Sequence, residues 1–234
     1  MAGEQASGSG KTTRSEAVHA RLREEIYAGA LRPGARLRLV ELSQRFAVSQ
    51  SVIREALTRL CGQGLVRATP QRGFRVVTIS PEDLTELTEA RVEIETLVLR
   101  RAVERGDLRW EAEVVAAHHH LAGVTGVRPD GTVDPEWFAV HEHFHRTLLQ
   151  GCGNTRLLAT ALTLREAATL YRRWSVPVGQ DTGRDVAGEH QRLTDAVLAR
   201  DADTATALLA AHLTRTTQAL LTAIDRDPGA LGPA

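Results

Sequence analysis

Beyond Ser80-Pro81 every segment of the chain repeats its apolar residues at helical spacing, and none alternates as a half-buried strand would. That pattern predicts helices near residues 81–105, 109–124, 135–151, 154–175, 182–200 and 202–225. The breaks fall at Gly106, at GVRPDGTVDP, at GCGN, at VPVGQD and at RDAD. Ser80 and Asp134 each precede a proline at a first helical position, and Asn154 stands where it can cap the fourth helix. Six helices joined by short loops make an antiparallel bundle. Aromatic residues are only 4% of the chain, so Leu, Val and Ala must fill the core.

The first third reads differently. Residues 1–13 are small, polar and glycine-rich, and are expected to form a disordered tail, as are residues 228–234. GSGKTT in that tail resembles the end of a phosphate-binding loop, but Gln5 occupies the position where such a loop needs glycine. Over 14–79 the pattern is a helix from Glu16 to Tyr27 with Val18, Leu22 and Ile26 on one face, then a Gly/Pro break. Two short helices (LVELSQRFA and QSVIREALTRLCGQG) and an alternating hairpin follow. Helix, tight turn, helix and hairpin describe a winged helix-turn-helix, which makes the fold mainly α with the bundle over 80–227.

Charge divides the same way. The chain is neutral overall, but residues 1–78 carry 13 Lys or Arg against 6 Asp or Glu, so a basic module precedes an acidic one. A basic module of this shape is expected to meet double-stranded DNA. Ser49, Gln50, Ser51 and Arg54 open the second helix of the motif and are the candidates for base and phosphate contacts. Arg72 and Gly73 form the tip of the wing. The competing reading is a solvated basic surface on a small protein-binding domain. No apolar run approaches the roughly 20 residues of a membrane span, and no signal pattern opens the chain, so a cytoplasmic protein is expected. Cys61 and Cys152 form neither a Cys-x-x-Cys motif nor a disulfide framework.

Three histidines crowd HEHFH at 141–145. At about 100° per residue His141 and His145 lie about 40° apart and one turn along, while His143 points away. His190 and His212 are equidistant from residue 201, inside RDAD, so an antiparallel hairpin turning there places them at one height. Four imidazoles from three helices suit a divalent transition metal, zinc or nickel. HHH at 118–120 lacks that spacing and reads as a solvated helix face. Glu142 and Glu189 adjoin candidate ligands but are expected to point off the site.

GALRPGARLRLVELSQRFAVSQSVIREALTRLCGQGLV and the wing PQRGFRVV resemble the DNA-binding domain of GntR-family bacterial regulators. Gln50 stands where the family usually has a base-reading arginine. The second half resembles the helical FCD effector domain of the FadR subfamily, nearest in helix count to its VanR-like group. HEHFH, EH at 189–190 and AHL at 211–213 match that domain's metal-binding pattern, with His141 in place of an acid. Arg91 in EARVEIE matches an arginine that often faces the effector pocket, although it could equally pair with Glu95. The resemblance implies a homodimeric regulator, most often a repressor, on a palindromic operator, responding to a small carboxylate and having no enzymatic activity. The alternatives are a metalloenzyme with an appended DNA-binding module and a direct sensor of metal.

Overall fold

A computed structural model of the chain describes residues 13–70, 73–78, 80–126, 134–175 and 184–226. Both predicted tails, Arg72, most of GVRPDGTVDP and all of VPVGQD lie outside those residues, apart from Thr13 and a few loop ends. The chain divides into two units between Val77 and Thr78.

The first unit begins with α1 (Arg14–Tyr27), which buries Val18, Leu22 and Ile26. Its start is a capping box: the Thr13 hydroxyl accepts from the Glu16 amide, and the Glu16 carboxylate accepts from the Thr13 amide. Next come β1 (Arg36–Leu37), α2 (Leu39–Phe46), α3 (Gln50–Gly62), β2 (Val66–Thr69) and β3 (Gly73–Val76). α2 ends at Ala47 in the left-handed region (φ 52°), and Ser43 Oγ donates to the Val48 carbonyl at 2.7 Å, which closes the tight turn before α3. α3 turns Ile53, Ala56, Leu57 and Leu60 inward.

The sheet is antiparallel in the order β1-β3-β2, one strand more than the alternating pattern predicts. Two residues are too few to show alternation. β1 is recognisable only from its pairing, with Leu37 opposite Phe74, both buried.

Among the described residues the second unit holds six helices: α4 (Pro81–Arg105), α5 (Leu108–Gly123), α6 (Pro135–Gln150), α7 (Thr155–Ser175), α8 (Val186–Leu198) and α9 (Ala202–Arg226). Five agree with the sequence pattern to within a residue or so at each end. α8 is shorter than expected, because Asp185 is its N-cap, accepting from the Gly188 amide at 2.8 Å, and Arg200 adopts a left-handed φ of 59°. The core joins Val98, Leu99, Val114, Phe144, Leu148, Leu149, Leu193, Val197, Leu209 and Leu213. Full burial of one such side chain stabilises the fold by about 1.5–3 kcal/mol.

Trp110 anchors the end of this core, donating Nε1–H to the Thr147 carbonyl at 2.8 Å. It fits because Gly106 and Gly151 flank its ring. A methyl group on either would lie 2.1 or 2.8 Å from ring carbons. Among the described residues no helix is long and apolar enough to cross a membrane.

Candidate metal centre and nucleic-acid interface

α8 and α9 are joined by a tight turn, in which Asp201 caps α9 by accepting from the Thr204 amide at 3.0 Å. That hairpin sets His190 against His212, with ring centroids 4.9 Å apart. On α6, His141 and His145 are one turn apart with centroids at 4.5 Å, and their rings lie 5.0 and 5.2 Å from His190. All four are buried, and one nitrogen from each lies within 4.8 Å of the others. Trp137 stacks on His141 at 4.6 Å, and Phe144 packs edge-on against His145 and His190. The four imidazoles therefore sit in an aromatic box.

Burial drives all four imidazoles toward the neutral form. For His190 burial and the His212 charge lower the pKa to about 3. Four neutral rings offer lone pairs at neutral pH. The His145 and His190 Nε2 atoms are 3.3 Å apart. Two nitrogens bound to one tetrahedral zinc at about 2.05 Å would be separated by about 3.3 Å. His145 Nδ1 is buried with no hydrogen-bond partner. The donor set fits a transition metal ion.

Glu189 departs from expectation. Its carboxylate accepts from His212 Nδ1 at 2.8 Å and is clamped by Arg184, which also donates to the His212 carbonyl at 3.1 Å. Since a carboxylate can only accept, the proton belongs on Nδ1 and the Nε2 lone pair is free, the arrangement common behind metal-bound histidine. Glu189 and His212 lie on different helices, so the sequence separation of 23 carries no signal for the pair.

Glu142 does turn away, to Arg165 and Arg172. His143 is exposed on the opposite side of α6, in a shallow groove shared with His120 and Glu113 of α5. In HHH, His119 and His120 are exposed, whereas His118 is half-buried against Phe144 at 5.6 Å, a correction to the reading of all three as a solvated face. Helical phase explains it: residue 118 lies one turn from the buried Val114 and Leu121.

Arg91 is only 4% exposed; its Nε donates to Glu95 at 2.7 Å, while Nη2 has no partner. Pairing with Glu95 thus leaves part of the guanidinium unused. Arg165 is fully buried between Glu95 and Glu142 (Nη1–Oε2 2.7 Å, Nη2–Oε2 2.9 Å). Sequence reasoning missed this arginine, because a charged residue within a helical pattern reads as surface.

On the DNA-binding unit, Ser49, Gln50, Ser51 and Arg54 are exposed along the first turns of α3. Ser49 is also the N-cap, accepting from the Val52 amide, and lies 2.8 Å from the Ser51 hydroxyl. Gly73 is exposed at φ 81° with nothing near its missing side chain. Arg72 lies outside the described residues.

Residues 14–76 match the family described as bacterial regulatory proteins, gntR family, and residues 86–215 match the FCD domain. The chain is 34% identical over 200 residues to the HTH-type transcriptional regulator BphR of Paraburkholderia xenovorans, covering 85% of this chain and 81% of the relative. It is 34% identical to the HTH-type transcriptional repressor GlaR of Escherichia coli, covering 82% and 89%. The solved structure of E. coli McbR/YncC superposes with a TM-score of 0.68 at 23% identity, over 90% of this chain and 98% of that one, which shows the shared fold.

Proposed function

The chain belongs to the GntR family, with an FCD domain behind its DNA-binding domain, and is a DNA-binding transcription regulator rather than an enzyme; from that premise we propose that it is a metal-dependent repressor released by a small organic acid. The observation that carries the reading is the convergence of His141, His145, His190 and His212 in one buried box inside the helical domain. An all-nitrogen set of neutral donors favours zinc or nickel over oxygen-loving ions. Bound there, the ion would supply a Lewis-acidic anchor for a carboxylate of the effector, and Arg91 of α4, buried and with Nη2 unpaired, would be the second contact. Repressor action follows the naming of GlaR.

Residues 14–79 would read the operator and residues 80–227 would sense the acid, in a cytoplasmic homodimer. One short recognition helix reads few bases, so two half-sites related by a palindrome are needed for specificity. Metal-loaded protein is expected to bind an operator fragment as a dimer and to lose at least about tenfold in affinity, roughly 1.4 kcal/mol, when the correct carboxylate is added. Metal-free protein should not respond to the acid. Fluorescence anisotropy of a labelled operator checks this; release that is equal with and without metal would defeat the proposal.

A direct metal sensor is the second reading, favoured by one feature: four histidines can complete a tetrahedral ion without any further ligand. In that case metal alone, with no acid, changes operator affinity in the same assay.

On the DNA side, Arg54 and Gln50 would reach base edges, Ser49 and Ser51 phosphates, and Arg72 with Gly73 the minor groove beside the wing. Arg54→Ala is expected to cost about 1–3 kcal/mol on the cognate operator and much less on unrelated DNA. Equal loss on every sequence would show that Arg54 only positions the helix.

A further inference from the structure

Exposed histidines of HHH and HEHFH take no part in the buried box, and two of them share a groove. The groove runs between α5 and α6 and is lined by Glu113, Ala117 and His120 from the first helix and by His143, Thr147 and Gln150 from the second. On each helix these residues are spaced by four and then three, so each set is one stripe, and the two stripes face each other. His119 is exposed and lies about 100° round α5 from His120, away from the groove.

The relative height of the two imidazoles follows from contacts that fix the antiparallel register of α5 against α6. Near one end Trp110 Nε1 donates to the Thr147 carbonyl at 2.8 Å, and the Trp110 ring occupies the space into which a side chain at residue 151 would project. Two turns further along α5, the His118 ring lies 5.6 Å from that of Phe144. Advancing along α5 therefore means retreating along α6, and the step from His118 to His120 brings the latter level with His143 to within a residue or two, roughly 1.5–3 Å of axial rise. The lining beside them is small: Ala117 has only a methyl group, and the Thr147 hydroxyl turns back to donate to the His143 carbonyl at 2.9 Å. Packed helices have axes about 8–10 Å apart, so imidazoles from facing stripes at one height can bring their nitrogens to the roughly 3.3 Å that separates two ligands of one ion. Glu113 stands two turns from His120, about 10 Å along the helix, and does not reach the same ion.

We propose that His120 and His143 form a second, solvent-facing site for a divalent transition metal ion, held by the two imidazoles and completed by water. Imidazole donors suit zinc, nickel and copper, and two donors in place of four make this ion the weaker and more exchangeable one. The helical phase that sends His141 and His145 inward sends His143 outward, so the site is separate from the buried box and does not depend on it. An ion there links α5 to α6, and it is taken up only after the tighter box is filled.

The test uses full-length protein stripped with a chelator and titrated calorimetrically with zinc. Wild type is expected to bind two classes of ion, the second at least about tenfold more weakly than the first. His120→Ala and His143→Ala, both at exposed helical positions where alanine is well tolerated, should each weaken the second class by more than about tenfold while keeping the tight ion and the metal-free melting temperature. The double variant should be no worse than either single one, because both rings hold the same ion. His119→Ala should change neither class, and His145→Ala should lose the tight class and keep the weak one. A wild type without the weaker class, a weaker class that survives either His120→Ala or His143→Ala, or losses that add in the double variant as for two independent one-histidine sites, overturns the proposal while leaving the buried box untouched. If wild type lacks the tight class and the weak class behaves as expected, the reading of the box falls and the surface site stands.

Discussion

Replacing His145 by alanine is expected to strip the helical domain of metal, while replacing His143 leaves the metal in place. His145 is central to the box: its ring lies 4.5, 5.2 and 5.0 Å from those of His141, His190 and His212, and its Nε2 is 3.3 Å from that of His190. Loss of partners behind a ligand already weakens metal binding by about 10–100-fold, and loss of the ligand itself should exceed that.

After purification with a mild chelator, wild type and His143→Ala should carry about one ion per chain and His145→Ala almost none. Because the ion would tie α6, α8 and α9 together, added zinc should raise the melting temperature of the first two proteins and not the third. An ion concentration 1,000 times its dissociation constant corresponds to about 4.1 kcal/mol of added stability. Metal lost from His143→Ala but kept by His145→Ala would reverse the assignment of the helix face.

A comparable effect is expected at Arg165, which no solvent reaches. Arg165→Met keeps roughly the volume but leaves Glu95 and Glu142 short of a partner, and breaking a buried pair from one side typically costs about 3–5 kcal/mol. For a domain of this size the melting temperature should fall by on the order of 10 °C. The double variant Arg165→Met/Glu95→Gln removes one of the stranded charges and should recover part of the loss.

The pH dependence has a definite sign. Burial raises the Glu95 pKa, but the charges and hydrogen bonds of Arg91 and Arg165 outweigh it and hold the group below its ordinary 4.5. A depressed carboxyl pKa contributes stability that is complete above about pH 4.5 and is lost as pH falls below it. The gap between wild type and Arg165→Met should therefore be widest near neutrality and narrow in acid. Denaturant melts at several pH values give the answer, and a gap that is constant with pH would mean that the loss is one of packing and not of charge.

Periodicity and punctuation account for most of what the chain reveals before any coordinates. Helical spacing, Ser and Asp caps, proline at first helical positions and glycine breaks are local, and they place α4–α7 and α9 within about two residues. The same locality covers the histidines: phase along α6 separates His141 and His145 from His143, and symmetry about the α8–α9 turn opposes His190 and His212.

What local pattern could not supply is everything that depends on which helix lies beside which. β1 exists because β3 offers it a partner. Glu189 meets His212 across two helices, and Arg165 of α7 is buried because Glu95 of α4 and Glu142 of α6 close on it. The orphaned N–H groups of Arg91 and Arg172 are likewise a consequence of packing. A charged side chain is read as exposed from sequence because solvation is its default. Only the assembled bundle brings enough opposite charge from distant segments to hold three arginines in the interior, and only there does the count of donors against acceptors acquire a meaning.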